Sequence, residues 1–535
     1  MSWIEKLNFE EAIREICEDE RQGKDFCLDP LRFEDFSIKS VKELLINSCK
    51  EKIRRGYVDP LIEIDVPKSN YILRPGARPN ILDWVVYQAI VNFIGKNIYR
   101  LIPYCSYSFN GFRERFKKGR KRRKIDHWLD FENKTLEYSK KYRYMLVTDI
   151  TSFFENISLS VLKERLLTIY NDPDYSSAVN YLIENMLKPW TTNNRVTDFG
   201  LPQGPTASSI LADIYLYSVD REIKKQGIIY FRYMDDIRIF AKNKNEIKRA
   251  LKYLVKALRD LKLNLNAKKT DIYDTTNNES LNKVFDSEKN RLNFISEAFK
   301  SRKFNQIISE IPSLFKLFSK IDDPKNAFVD RHIRFLISHL IELMKFRLLD
   351  KEKIKKFCIY FINLLENKPH LTNIICWFFL AACSYDNSLK ELIKNKLIKF
   401  LNSPQNIYEW QEMWILDTLR QFNNLTMKDL RLLKNKVKAH ELCQGQLALI
   451  LGQSGNPDYR EDLLDKVRKG KVKNDQIRNF ALAVQEMHKD IKQQILRQIP
   501  EYFRKYLEKL SKPKYGFIYS LPEIELEIEY LSEYL

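Results

Sequence analysis

The sequence predicts a protein in two parts, an α+β module over the first 295 residues and an all-α module from there to residue 535. Short runs of β-branched and aromatic residues, with most of the turns marked by proline and glycine, lie between residues 57 and 295. Beyond that point the strand signals fade and the chain becomes a series of amphipathic helical stretches. Only five of the fourteen glycines fall beyond residue 300, which agrees with a change of fold class there.

Each part follows from the spacing of its apolar residues. Residues 1–56 carry isoleucine and leucine at helical spacing and predict an N-terminal helical segment. Residues 57–295 hold the candidate strands LIEIDV, YMLVTDI, IIYFRYM and IRIFA. Residues 296–535 repeat amphipathic stretches such as HIRFLISHLIELMKF and LKELIKNKLIKFL without a strict period, which favours an all-α helical-repeat domain of stacked hairpins.

Composition narrows the possible partners. The chain carries a net charge of +20, with 44% hydrophobic and 13% aromatic residues. That apolar content is enough to bury large cores and excludes a disordered chain. The basic excess fits a polyanionic partner, nucleic acid first and an anionic membrane second.

The cysteines and the apolar runs indicate the cellular compartment in which the protein works. None of the eight cysteines forms a CxxC pair or stands at zinc-ligand spacing with a histidine. The opening stretch MSWIEKLNFEEAIREI is charged and helical, unlike a signal peptide. The longest apolar run, IICWFFLAAC at 374–383, is too short to span a bilayer. We therefore expect a soluble protein of a reducing compartment with no membrane partner.

The stretch YFRYMDDIRIF contains two adjacent carboxylates between apolar runs. We expect strands at residues 230–234 and 237–241, with Asp235 and Asp236 together at the tight turn of a hairpin. Aspartate is an ordinary turn residue. Neighbouring carboxylates also disfavour each other's ionisation, so a site that keeps both ionised usually supplies a cation. This stretch alone is consistent with either a solvated turn or a metal site.

Three further motifs accompany that hairpin in the α+β module. YMLVTDI has the pattern of a buried strand and ends near Asp149. FGLPQGPTASS is a tight loop that opens a helix and contains Gln203 and Gly204. LKLNLNAKKTDIYD carries Lys268 and Lys269 at the start of a short strand.

In this order and spacing the four motifs resemble motifs A to D of reverse transcriptases, over roughly residues 60–275. Upstream, VPKSNYILRPGARPNILDWVVYQAIVNFI is similar to the fingers segment of bacterial reverse transcriptases, and PYCSYSFNGFRERF is similar to their SYGFR stretch. The resemblance implies a right-hand polymerase fingers–palm module at residues 57–295. It also implies a deoxynucleotidyltransferase that acts as an RNA-directed DNA polymerase.

The same resemblance implies a metal site. Two-metal phosphoryl transfer needs carboxylates that hold two cations about 3.5–4 Å apart, and magnesium prefers such oxygen ligands. The metal ligands it implies are Asp149 and Asp235 as bridging carboxylates, Asp236 set further back, and Ile150. Two Mg²⁺ ions are the expected cofactors, with Mn²⁺ as a substitute.

The resemblance also assigns residues that contact the deoxynucleoside triphosphate. Phe154 lies where reverse transcriptases place an aromatic ring against the sugar 2′ position, which favours deoxynucleotides and argues against an RNA polymerase; core packing is its alternative role. Lys269 is the candidate general acid toward the leaving pyrophosphate, although Lys268 competes for that role. The expected nucleotide contacts are Lys68, Arg74, Arg78, Ile150, Phe154, Gln203 and Gly204, and the expected catalytic residues are Asp149, Asp235, Asp236 and Lys269.

The densest positive charge is RERFKKGRKRRK at residues 113–124, with Phe112 and Phe116 interleaved. We expect it to contact a nucleic-acid backbone, with the rings available for stacking. A nuclear-localisation signal and a disordered basic loop are the alternatives. The candidate phosphate contacts are Arg113, Arg115, Lys117, Lys118, Arg120 and Arg122.

The segment LRPGARPNILDWVVYQAI and the long helical tail resemble bacterial defence-associated reverse transcriptases of the abortive-infection type, in which a helical-repeat domain replaces a conventional thumb. That resemblance implies anti-phage defence, RNA-directed or template-independent DNA synthesis, priming by the protein itself as one route, and a homo-oligomer in the bacterial cytoplasm. The implied nucleic acid is RNA, DNA or both, including a dedicated non-coding RNA or covalently attached DNA. The alternatives are a conventional mobile-element reverse transcriptase and a non-catalytic nucleic-acid-binding scaffold with a palm fold.

Overall fold

A computed structural model of the chain gives the architecture. It describes residues 3–21, 28–31, 33–102, 115–116, 124–192, 198–286, 288–318, 328–422, 424–436, 441–469 and 476–483, with a few single positions between 489 and 508.

The strands form two sheets. A two-stranded antiparallel hairpin pairs β1 with β2, and a four-stranded antiparallel sheet has the order β4-β5-β3-β6. The strands are β1 (Ile62–Pro67), β2 (Leu73–Arg78), β3 (Tyr144–Asp149), β4 (Ile229–Tyr233), β5 (Asp236–Ala241) and β6 (Asp271–Asp274).

Helices make up most of the described chain. Those that precede or cover the larger sheet are α1 (Phe9–Arg21), α2 (Lys39–Arg55), α3 (Ile81–Ile98), α4 (Lys124–Ser139), α5 (Leu159–Ile169), α6 (Pro173–Asn180), α7 (Lys188–Thr192), α8 (Thr206–Lys225), α9 (Lys244–Arg259) and α10 (Asn278–Asn282). Those that follow are α11 (Lys289–Lys300), α12 (Phe304–Phe318), α13 (Val329–Lys345), α14 (Lys351–Asn367), α15 (Thr372–Tyr385), α16 (Leu389–Leu401), α17 (Glu409–Phe422), α18 (Met427–Lys436), α19 (Gln444–Gln453), α20 (Pro457–Arg468) and α21 (Ile477–Ala483).

The four-stranded sheet is covered on both faces, because successive side chains of a strand point to opposite sides. Leu146 and Ile239 join the main core, where α9 packs on β3 and β5. Met145 and Phe240 face the other way and form a second, aromatic core with Phe131 of α4. This burial on both faces explains why the central strands read as apolar runs in the sequence.

Helix α3 connects the hairpin sheet to the rest of the molecule. Asn80 caps its N-terminus by accepting a hydrogen bond from the backbone N–H of Leu82. Nearly all of its residues are buried, and it packs against α1, α2 and α8. A helix that is apolar on all sides is one that other elements surround, and α3 has that role here.

The helices after residue 328 stack in two rows. Helices α13, α15, α17, α19 and α21 follow one another in a buried row, and α14, α16, α18 and α20 pack outside it. One buried apolar cluster runs from Leu7 through the larger sheet to Ala483. The three predicted segments therefore share a core, and their division at residues 56 and 295 stays a prediction. No helix among those described combines the length and apolar character needed to cross a membrane.

Candidate active site

The larger sheet brings three aspartates together at one end of its two central strands, β3 and β5. Asp149 is the last residue of β3 and stands opposite Asp236 in the antiparallel register. Asp235 lies beside them in the two-residue turn between β4 and β5. The prediction that Asp235 and Asp236 share the turn was wrong by one residue, because Met234 and Asp235 form the turn and Asp236 begins β5.

The turn is strained at its first residue. Met234 has a φ of +53°, in the left-handed region that residues with a Cβ seldom adopt. An Nη1 atom of Arg232 donates to the carbonyl oxygen of Met234 at 3.3 Å. The same guanidinium contacts Asp220 at 2.5 and 2.8 Å and Asp213 at 2.8 Å, and all three side chains are buried. The network ties the hairpin to α8, and we infer that it holds the turn in this conformation.

The electrostatics of the three carboxylates are unfavourable without a cation. Burial raises the pKa of Asp235, and the charges of Asp236 and Asp149 raise it further. Asp236 is more exposed, but desolvation by the surrounding protein and the charge of Asp149 raise its pKa as well. Positive charge placed among these groups is therefore stabilising.

Lys269 supplies one such charge. Its Nζ lies 2.6 Å from Oδ2 of Asp149, at the end of a short 3₁₀ turn (Ala267–Lys269). The turn is fixed to β3 because the backbone N–H of Asn266 donates to the carbonyl oxygen of Asp149 at 2.8 Å. Partial burial lowers the pKa of Lys269, but the hydrogen bond and charge of Asp149 outweigh that effect and raise it. Of the two lysines that the sequence left in competition, Lys269 is the one paired with Asp149.

The hairpin of β1 and β2 contributes two more cations. Burial lowers the pKa of Lys68, and the charges of Arg74 and Lys269 lower it further, while Asp235 acts in the opposite direction. Burial also lowers the pKa of Arg74, against the charge of Asp235. Lys68 and Arg74 thus lie within electrostatic range of Asp235, and their contact with a triphosphate stays a prediction.

Arg78, the third cation predicted to contact the triphosphate, has a different environment from Lys68 and Arg74. Its side chain is buried, and its guanidinium sits 5.4 Å from the ring of Phe33 and 5.5 Å from the ring of Trp84. These contacts are cation–π interactions inside the protein. The structure thus places Arg78 in packing between the hairpin sheet and the N-terminal segment, and its predicted triphosphate contact stays a prediction.

The loop with Gln203 and Gly204 bridges the hairpin sheet and the segment after β3. The backbone N–H of Ala77 donates to the carbonyl oxygen of Gln203 at 2.8 Å. The Gln203 side chain donates to Glu155 at 3.4 Å. Gly204 has a φ of +140°, which a residue with a Cβ adopts only under strain. Glu155 was missed by sequence reasoning, since a glutamate on an exposed loop carries no local signal.

Phe153 and Phe154, between which the sequence left the core-packing role open, differ in burial. Phe153 is 3% exposed and belongs to the main core, whereas Phe154 is only partly buried. Their rings meet edge to face at 5.6 Å, and the backbone N–H of Leu201 donates to the carbonyl oxygen of Phe154. The Phe154 ring is thus held at the edge of the core. Ile150 is buried and forms a bridge with Leu265, so a contact to ligand from Ile150 is limited to its backbone.

The basic run is described only at Arg115 and Phe116. The Nη1 atom of Arg115 lies 3.7 Å from Oε1 of Glu15, and the ring of Phe116 packs 6.1 Å from that of Tyr99. Both side chains therefore have partners inside the protein. The other predicted phosphate contacts lie outside the described residues: Arg113, Lys117, Lys118, Arg120 and Arg122.

Comparison with known proteins agrees with this geometry. Residues 66–307 match the family model described as reverse transcriptase (RNA-dependent DNA polymerase). The chain therefore contains a reverse transcriptase domain over these residues. No curated protein matches the chain.

Similar solved structures include telomerases from two yeasts. Apo telomerase from Candida tropicalis is 15% identical with a TM-score of 0.30, covering 67% of this chain and 74% of that one. A form truncated from its C-terminal domain is 16% identical with a TM-score of 0.27, covering 44% and 55%. Candida albicans telomerase in complex with the TWJ fragment of telomeric RNA is 13% identical with a TM-score of 0.32, covering 70% and 68%. This chain thus spans about half the length of the truncated form, and similarities this weak carry no functional inference.

Reverse transcriptase domains generally use divalent metal ions, and the donor set here suits them. Within the described residues, no group of three or more His, Cys, Asp and Glu is arranged to hold a metal ion. The Lys269 ammonium is instead paired with Asp149. The three candidate donors are carboxylates, and magnesium prefers hard oxygen ligands of that kind. The chemistry of Asp149, Asp235 and Asp236 therefore suits a divalent cation, and their arrangement around one stays a prediction.

Proposed function

We propose that the protein is a DNA polymerase of the reverse transcriptase class that joins deoxynucleotides at the aspartate-bearing end of the larger sheet. One observation carries the proposal, the antiparallel register that sets Asp149 opposite Asp236 with Asp235 in the adjoining turn. A scaffold that only bound nucleic acid would not need three carboxylates at mutually unfavourable positions. Divalent cations bound there would activate the primer 3′-hydroxyl and stabilise the leaving pyrophosphate.

The chain's own residues account for the remaining steps. Lys68 and Arg74 bind the triphosphate, which their positive charge within electrostatic range of Asp235 supports. Lys269 donates a proton to the leaving pyrophosphate, for which its protonated state at neutral pH is suited. Gln203 and Gly204 line the base and sugar, and Phe154 stands against the 2′ position of the sugar.

The nucleic acid and the biological role belong to the same proposal. The net charge of +20 supports a polyanionic partner, and the basic run at 113–124 is its candidate contact. The resemblance of the fingers segment to abortive-infection reverse transcriptases supports anti-phage defence, with synthesis that is RNA-directed or template-independent, a protein primer as one route, and a homo-oligomer. A mobile-element reverse transcriptase is the second candidate, favoured by the same family match over residues 66–307.

Nucleotide incorporation by the purified protein tests the function. Labelled deoxynucleotides are supplied with Mg²⁺ or Mn²⁺, with or without an RNA template and a DNA primer, and the products are separated after denaturation. Extension that requires template and primer indicates a conventional reverse transcriptase. Label that stays on the protein until nuclease treatment indicates protein priming. No incorporation in any arm, from protein that is folded and saturated with cation, contradicts the proposal.

Replacing Phe154 with alanine is expected to increase ribonucleotide use relative to deoxynucleotide use. The half-buried ring is removed from the sugar side of the site while Phe153 keeps the core filled. A change of about 1–3 kcal/mol in discrimination, or roughly 10- to 200-fold, is the scale of a steric pocket change. Competition between the two nucleotide types measures it. Phe153→Leu is the matched control, expected to lower the melting temperature without changing the ratio, and an unchanged ratio in Phe154→Ala would assign that ring to packing alone.

A further inference from the structure

Helix α21 is bound to the N-terminal segment by a buried charged cluster. The guanidinium of Arg478 donates to Asp29 at 2.7 and 3.0 Å and to Asp35 at 3.0 and 3.1 Å. All three side chains are at least nine-tenths buried. Nearby, the Gln446 side chain of α19 donates to the carbonyl oxygen of Leu28 at 3.4 Å. The last described helices of the row, α19 and α21, therefore contact the N-terminal segment.

The cluster continues into the hairpin sheet through one aromatic ring. The ring of Phe33 has the Arg478 guanidinium at 5.3 Å and the Arg78 guanidinium at 5.4 Å. Arg78 is the last residue of β2. Phe33 is fixed in turn, because its backbone N–H donates to Oδ1 of Asp29 at 3.2 Å while its φ is +57°.

Charge balance links the same residues. Asp29 and Asp35 place two negative charges in a buried site, and Arg478 is paired with both of them. The charge of Arg78 also acts on Asp29 and lowers its pKa. The helical row and the hairpin sheet therefore each place a guanidinium within range of the buried Asp29.

Strand β2 carries this restraint to the nucleotide side of the active site. Arg74 lies on the same strand, four residues before Arg78, and Ala77 donates its N–H to the Gln203 loop. Helix α17 also packs on β1, the partner of β2. A shift of Arg78 would therefore move β2, and with it both Arg74 and the loop that contains Gln203.

We propose that Arg478 is a positioning residue for nucleotide binding: through Phe33 and Arg78 it fixes β2, and so sets where Arg74 and Gln203 stand relative to Asp235. The inference rests on the proposed function of that site. The helical row then acts on the polymerase site from outside it, by holding the hairpin sheet rather than by touching substrate.

A charge-balanced double variant tests the inference. Arg478→Met alone removes the cation that both carboxylates contact and risks unfolding α21, whereas Arg478→Met with Asp35→Asn removes one charge of each sign. In this double variant, amide hydrogen exchange at residues 73–78 is expected to accelerate at least about tenfold, with exchange at 144–149 unchanged. The KM for deoxynucleotide is expected to rise about tenfold, with kcat changed less than about twofold.

Lys394→Met is the matched control. That ammonium is buried in the outer row on α16, between Glu391 at 2.8 Å and Asp429 at 3.3 Å. We expect it to lower the melting temperature without changing exchange at 73–78 or the KM. Wild-type exchange and KM in the folded double variant would overturn the inference, as would an equal effect of Lys394→Met. If the wild-type protein incorporates no nucleotide, the proposed function fails, and the exchange measurement still decides whether α21 restrains β2.

Discussion

The Asp235→Asn variant is expected to lose nucleotide incorporation by at least about 10³-fold, the scale of removing a principal electrostatic stabiliser of the transition state. Asparagine keeps the shape of the side chain but removes the negative charge that would bind a cation. The fold should persist, because Asp235 stands in a two-residue turn next to two other carboxylates. We expect the melting temperature to be equal to or above that of the wild type, since one repulsive charge has gone.

Single-turnover incorporation and thermal unfolding measure the two effects separately. Asp271→Asn is the matched control, because Asp271 is an exposed carboxylate on β6 of the same sheet. It should leave incorporation unchanged. Near-normal incorporation by Asp235→Asn would remove the carboxylate cluster from the mechanism, and a collapse in stability would assign Asp235 a structural role instead.

The Arg232→Met variant is expected to lose about 3–5 kcal/mol of unfolding free energy, the usual cost of leaving buried carboxylates without their partner. Arg232 is 1% exposed and compensates both Asp213 and Asp220. Arg232 also donates a hydrogen bond to the carbonyl oxygen of Met234. Without that bond Met234 should leave its left-handed backbone conformation, and the side chain of Asp235 should change position. We therefore expect incorporation to fall even at temperatures where the variant remains folded.

Denaturant unfolding and incorporation at low temperature check this prediction. Arg249→Met is the matched control, because Arg249 is exposed on α9, which packs on the same sheet. Its unfolding free energy should stay within about 0.5 kcal/mol of the wild type. An Arg232→Met protein that is equally stable and active would show that α8 does not hold the hairpin.

The aspartate cluster was predictable from sequence because four motifs, each with a local signal, occur in the order and spacing of a known family. An apolar run ending near Asp149 and a second run around Asp235 mark two buried strands, and buried strands of one module tend to pair. The one-residue error at the turn also has a local cause. A two-residue hairpin turn with positive φ is usually marked by glycine or asparagine, and Met234 gives no such mark.

Arg78 and Arg478 could not be assigned from sequence for the opposite reason. Arg74 and Arg78 stand on the same strand with similar neighbours, and only contacts with Phe33 and Trp84 separate their roles. Arg478 meets Asp29 across most of the length of the chain. Pairings of that kind depend on how distant elements fold together, which no local pattern records.

The row of helices is attached to the rest of the molecule at two points within the described residues. Near its start, His332 of α13 contacts Asp286 at 2.9 Å, and at α21 Arg478 contacts Asp29. Open solenoids gain and lose repeats during evolution because each repeat needs only its neighbours. Here one added helical hairpin would displace α21 by about 10 Å, the usual spacing of packed helices, and would break its hydrogen bonds. A whole hairpin inserted between α13 and α21 would therefore break one of these two contacts, so the spacing of the two anchors constrains the number of helices between them.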